Sequence, residues 1–117
     1  MITARETKQR MQDDPRWWKI ALMDFVDDFR HHRDPAAVSE AFHLDDEEKD
    51  AVLAGTIETL CDELELPIPK WLGKVPACRE PQFLSSIESI KAFSLAESPV
   101  HFRVRKVFVC DNFLFRV

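Results

Sequence analysis

Apolar residues recur along the first half of the chain at spacings of three and four, the period of an α-helix with one buried face. Trp18, Leu22, Phe25, Val26 and Phe29 share such a face, while Asp24, Asp27 and Asp28 fall mostly off it. Asp14-Pro15 supplies the start signal. An aspartate oxygen can accept from the orphan first-turn amides, and proline at the first helical position gives up no hydrogen bond. The pattern predicts a helix from there to about His31, preceded by a short polar helical lead over residues 3–12. Asp34-Pro35 repeats the signal and predicts a short helix over 35–42 with Val38 and Phe42 inward. The longest helix is predicted from Asp45 to about Glu65. An Asp45/Glu48 capping box opens it, and Val52, Leu53, Ile57, Leu60, Cys61 and Leu64 form its core stripe.

Leu66-Pro67-Ile68-Pro69 ends that helix, because a proline disfavours helix in the residue before it. Residues 66–84 read as a proline-rich but ordered connector pinned by Trp71. Ser85 and Glu88 form a second capping box and predict a helix to about Glu97, after which Ser98-Pro99 marks a boundary. Beyond it two readings stand. Pro99 can open one more helical turn through about Val104, or Phe102, Val104 and Val107-Phe108-Val109 can be extended, with Asp111-Asn112 turning residues 113–117 back as a hairpin. The expected fold is mainly α: four to five helices around one core with a short C-terminal β-hairpin or extended pair. It is a single domain over 1–117, with 1–13 as the polar lead and 98–117 as a distinct tail.

Composition agrees with a packed globule, since 45% of the 117 residues are hydrophobic. Two glycines and no tyrosine argue against a strand-rich sandwich with many tight turns. The three cysteines, Cys61, Cys78 and Cys110, are odd in number and far apart, which suits a reducing compartment better than a disulfide framework. The first residues contain no apolar signal-peptide core, and no apolar run approaches the roughly 20 residues of a membrane span. A soluble cytoplasmic protein with no membrane partner is the expectation.

Charge changes the picture only at the C-terminal end. The chain is formally −5, yet residues 98–117 carry +3, leaving −8 on residues 1–97. Phe102, Phe108, Phe113 and Phe115 are interleaved with Arg103, Arg105, Lys106 and Arg116. No helix stripe or cap accounts for that pattern. The candidate partner contacts are therefore Arg103, Arg105, Lys106 and Arg116, together with Trp17, the outward member of the Trp17-Trp18 pair. A purely structural reading also exists: on a hairpin, Arg103 and Arg105 alternate to the wet face opposite Phe102 and Val104.

Catalytic signatures are lacking. His31 and His32 are adjacent on a helix and point about 100° apart, so they cannot both ligate one ion from that helix. The histidine pair four residues apart that a helical metal site uses is absent. His43 and Asp45 complete the nearest thing to a metal constellation, and nothing near the carboxylate sets Asp24/Asp27/Asp28 and Asp45–Asp50 suggests the desolvation that would tune one for acid–base work. The serines have no Gly-x-Ser-x-Gly context, and no glycine-rich phosphate loop is present. No catalytic, cofactor-binding or metal-ligating residue is assigned.

One set of short motifs has a familiar arrangement. It comprises Phe25-Val26-Asp27-Asp28-Phe29-Arg30 with Asp34-Pro35, Leu66-Pro67-x-Pro69-x-Trp71, Pro81-x-Phe83, and Ser98-Pro99-x-x-Phe102-Arg103-x-Arg105-x-Val107-Phe108-Val109 with Leu114-x-Arg116. Over about residues 20–117 the chain resembles an uncharacterised bacterial domain that follows a phage-repressor-type helix-turn-helix in small regulators and antitoxin-like proteins. The resemblance implies a prokaryotic regulatory or partner-binding module, in a toxin–antitoxin context, rather than an enzyme. Only about 14 residues precede the first strong helix, so the DNA-reading part is expected to be missing and sequence-specific DNA binding is not carried over. The leading expectation is a non-enzymatic protein-interaction module with its contact surface on the basic tail. The alternatives are a nucleic-acid-binding accessory protein using the same tail, and a small metal-dependent enzyme using the Asp/His region near residues 24–34.

Overall fold

The computed structural model describes residues 1–84, 98–109 and 113–114. It is mainly helical with a short two-stranded sheet near the C-terminus. Helix α1 (Ala4–Asp13) starts at Thr3, whose hydroxyl accepts from the Glu6 N–H at 3.1 Å. Asp14-Pro15 opens a 3₁₀ turn, Pro15–Trp17, before helix α2 (Trp18–His32), and the Asp14 carboxylate makes no capping bond. Asp14 serves the preceding helix instead: its N–H donates to the Arg10 carbonyl at 3.2 Å and closes α1. Helix α2 ends at Arg33, in the left-handed region at φ 53°, with its N–H on the Phe29 carbonyl.

Asp34 does cap as expected, its carboxylate accepting from the Ala36 N–H at 2.9 Å. The element it opens is a single 3₁₀ turn, Pro35–Val38, and not a helix reaching Phe42. Phe42 is still buried, edge-on to Trp71 with ring centroids 5.3 Å apart. The Trp71 Nε1–H donates to the Val38 carbonyl at 2.9 Å and so pins the connector, which forms a 3₁₀ turn over Lys70–Lys74. Helix α3 (Glu47–Glu63) is capped by Asp46, not Asp45. A long-range contact decides between the two acids, because Lys8 from α1 takes Asp45 at 2.9 Å and leaves Asp46 to accept from the Lys49 N–H.

Lys8 is 2% exposed, and its ammonium also meets the buried Asp50 carboxylate and donates to the His43 carbonyl at 2.5 Å. That set of partners makes a buried lysine tolerable and ties α1 to α3. Around it, α1 packs on α2 and both pack on α3. Their shared core includes Met11, Leu22, Phe25, Phe29, Leu53, Ile57 and Leu60.

After Ser98 the helical reading holds as far as Val104, so Phe102 and Val104 are not extended, and of the strand reading only Val107-Phe108 forms a strand. Pro99 precedes a single helical turn, α4 (Val100–Arg103), and the chain then extends into strand β2 (Val107–Phe108). The partner of β2 lies upstream: β1 (Gln82–Phe83) pairs with it in parallel, Gln82 opposite Val107 and Phe83 opposite Phe108. Parallel strands cannot be joined by a tight hairpin turn, and residues 84–106 separate these two along the chain. The helix expected over 85–97, the turn at Asp111-Asn112 and residues 115–117 lie outside the described residues. No helix among the described residues is long and apolar enough to cross a membrane.

Helix α4 sits against α3 at its one glycine. A Cβ on Gly55 would lie 2.9 Å from Cδ1 of Phe102, and the Phe102 ring is fully buried, edge-on to Phe113. Gly55→Ala gains about 1 kcal/mol of helix propensity but overpacks the site at a cost of about 1–3 kcal/mol. The substitution is expected to destabilise by up to about 2 kcal/mol in denaturant unfolding. In a Phe102→Leu background the same change is expected to be neutral or stabilising.

Candidate interaction face

The turn α4 has an inner and an outer side of opposite character. On the inner side Phe102 fills the gap at Gly55, and Arg105, three residues on, follows it inward. The Arg105 side chain is 8% exposed; its guanidinium pairs with the Glu58 carboxylate and donates to the Leu72 carbonyl at 2.9 Å. The Arg105 Nε has no hydrogen-bond partner among the described residues. His101 adds a third anchor, with Nε2 hydrogen-bonded to the Asp62 carboxylate and Nδ1 4.0 Å from Glu58. Glu58 and Asp62 are one helical turn apart on α3, so both face α4.

The outer side carries Val100, Arg103 and Val104. Spacings of three and four put them on one face of the turn. Val100 is 53% exposed and Val104 61%. Lys106 is exposed beside them in the left-handed region at φ 60°, its ammonium donating to the Arg79 carbonyl at 3.4 Å.

The expected contact residues therefore separate. Arg103 and Lys106 reach solvent. Arg105 does not, and that expectation is corrected: the alternation that turned Arg105 outward belongs to a strand, whereas the helical turn sends Arg105 inward and Val104 outward. Arg116 lies outside the described residues. Trp17 is 52% exposed, as expected of the outer member of its pair, while Trp18 packs against the core. Trp17 stands at the α1–α2 corner, where it and Ile20 border a 270 Å³ pocket with Asp13 and Asp14. The Arg16 guanidinium lies 5.6 Å from its ring.

Val100 and Val104 were not among the sequence candidates. Their signal was the spacing V-x-x-R-V directly after a proline, which is legible only if the segment is read as helix.

The Asp/His region is engaged in holding helices together. Asp24 pairs with Arg10 of α1 at 2.9 Å, Asp28 accepts from the Ile2 N–H at 2.7 Å, and His32 lies 3.3 Å from Asp28. Among the described residues no group of three or more His, Cys, Asp and Glu side chains is arranged to hold a metal ion. Burial raises the thiol of Cys61 to about 11, with the carboxylates of Asp62 and Glu58 adding to the shift, and raises that of Cys78 in the same direction.

Removing one partner of a buried ion pair strands the other. Arg105→Met is expected to cost about 2–4 kcal/mol in chemical unfolding, with most of it recovered in the double variant Arg105→Met/Glu58→Gln. Arg103→Met should change stability by less than about 0.5 kcal/mol. The raised Cys61 thiol gives a pH expectation as well. Folding keeps its proton on, so the stability it contributes is fully present below the unfolded thiol value and is lost as pH rises through about 11. Unfolding midpoints measured from neutral to alkaline pH are expected to fall, and Cys61→Ala to flatten that fall.

Comparison with protein-family models, with curated proteins and with solved structures finds no match for the chain.

Proposed function

We propose that the chain is a non-enzymatic protein-interaction module of the bacterial regulatory, antitoxin-like kind that its sequence resembles. It works in the cytoplasm, and its contact surface is the outer face of α4. The observation that carries this reading is the outward pair Val100 and Val104, more than half exposed, flanking Arg103 on a turn whose inner side is locked by Phe102 and Arg105. The buried centre of a protein interface is apolar and poor in charged residues, with arginine enriched. A turn already fixed in place loses little conformational freedom on binding. With Arg105 buried, the described part of the tail offers a polyanion only the exposed Arg103 and Lys106, with Val104 and the buried Arg105 between them. That favours a protein partner over nucleic acid.

The test is retention of partners from a lysate of the native host on immobilised protein, with Val100→Asp/Val104→Asp as the comparison. A specific protein is expected on the wild type, with retention on the variant lower by about tenfold or more. Equal retention on both, or retention of nucleic acid that falls with salt at a log–log slope of roughly −2, would overturn the reading.

A further inference from the structure

We infer that the outer face of α4 is occupied by an acidic pocket on a second copy of this chain, in a twofold-symmetric dimer. The inference rests on the reading above that this face binds protein, and it names the partner.

The pocket lies where the N-terminus of α3 meets the segment after the Lys70–Lys74 turn. It encloses 390 Å³ and is lined by Leu44, Asp45, Asp46, Glu47, Ala77 and Arg79, among others. Leu44 is 43% exposed and, with Ala77, gives the hollow an apolar wall. Its rim is anionic. The Lys8 hydrogen bond holds the Asp45 carboxyl below its ordinary range. Burial works to raise Asp46, but the Lys49 amide and ammonium outweigh it and leave Asp46 lowered too. Both are therefore carboxylates near neutral pH, and Glu47 stands beside them.

The outer face of α4 is the complement of this hollow: two exposed valines to enter it, and Arg103 and Lys106 to meet its rim. The two surfaces also adjoin on a single chain. Lys106 donates to the carbonyl of Arg79, which lines the pocket, and the neighbouring Cys78 N–H donates to the Arg105 carbonyl at 2.9 Å. Adjacent complementary patches are what a twofold interface requires, because each patch then meets its complement twice. The formal −5 on each copy opposes approach. That repulsion is screened beyond about 8 Å at physiological ionic strength, whereas pairs in direct contact are screened much less.

Sedimentation velocity across a wide concentration range tests the inference. The wild type is expected to show a concentration-dependent dimer. Arg103→Glu/Lys106→Glu turns the α4 face acidic, and Leu44→Lys/Glu47→Lys/Ala77→Lys, with Ala77 exposed, leaves the pocket lining net basic against its remaining Asp45, Asp46 and Asp50. Each variant alone should self-associate at least about tenfold more weakly, because like charges then face each other. Mixed one to one they should restore the dimer, since both contacts of the mixed pair again join opposite charges. Glu47 also accepts from the Arg79 amide, so Leu44→Lys alone, at an exposed side chain, serves as a second pocket variant. Thermal unfolding checks that each variant is folded. A wild type that stays monomeric throughout, a dimer indifferent to both faces, or a mixture that does not re-form the dimer would overturn the inference. A monomeric wild type that still retains a host protein through Val100 and Val104 would remove only the second copy as partner. Failure of that retention together with a dimer that both variants leave intact would remove the α4 face itself.

Discussion

A guanidinium beneath a single helical turn is tolerable only if a carboxylate and carbonyl oxygens replace the water it has given up. Arg105 finds Glu58 and the Leu72 carbonyl there, and the direction in which the whole turn faces depends on that pair. Four residues of helix have no stability of their own, because helix nucleation is unfavourable and one turn does not repay it. The turn exists because Phe102, Arg105 and His101 each reach a different point on α3. Rotate it so that Arg105 meets solvent, and Glu58 is stranded while Val104 enters the core. The exposed valines are thus a consequence of the buried arginine.

A second buried cation works in the same way at the other end of the chain. Lys8 of α1 holds Asp50 as Arg105 holds Glu58, so α3 carries two acidic hooks eight residues apart and about 80° apart around its axis. The two hooks take different neighbours. Helix α3 is therefore more than an apolar stripe: it is the element to which both ends of the described chain are fixed by charge. The left-handed backbone at Lys106 follows from this arrangement, since it turns the chain from α4, held by Arg105, into β2 alongside Gln82 and Phe83.

What the sequence made legible was local. The stripes of α2 and α3, the Asp34 cap, the outward Trp17 and the Trp71 pin all follow from spacing and residue type within a few positions. What it left unreadable was decided at a distance. Asp45 and Asp46 are equivalent caps until Lys8, 37 residues away, takes one of them. Arg103 and Arg105 are equivalent until Glu58, 47 residues from Arg105, takes the second. Periods of 2 and 3.6 both fit the short stretch after Pro99, and only the anchors on α3 choose between them. The parallel pairing of residues 82–83 with 107–108 leaves no mark in either strand.

Gly55 and Phe102 share one volume between two positions of the chain. In descent, such a pair behaves as a single inherited character. A side chain at position 55 costs least in a lineage whose residue at 102 has become smaller, and a large ring at 102 favours a bare position 55. Sequences descended with this one should therefore divide into two kinds, with the bulk at one position or at the other. That reciprocal pair, invisible to any comparison that scores positions one at a time, is the mark by which distant relatives could be known.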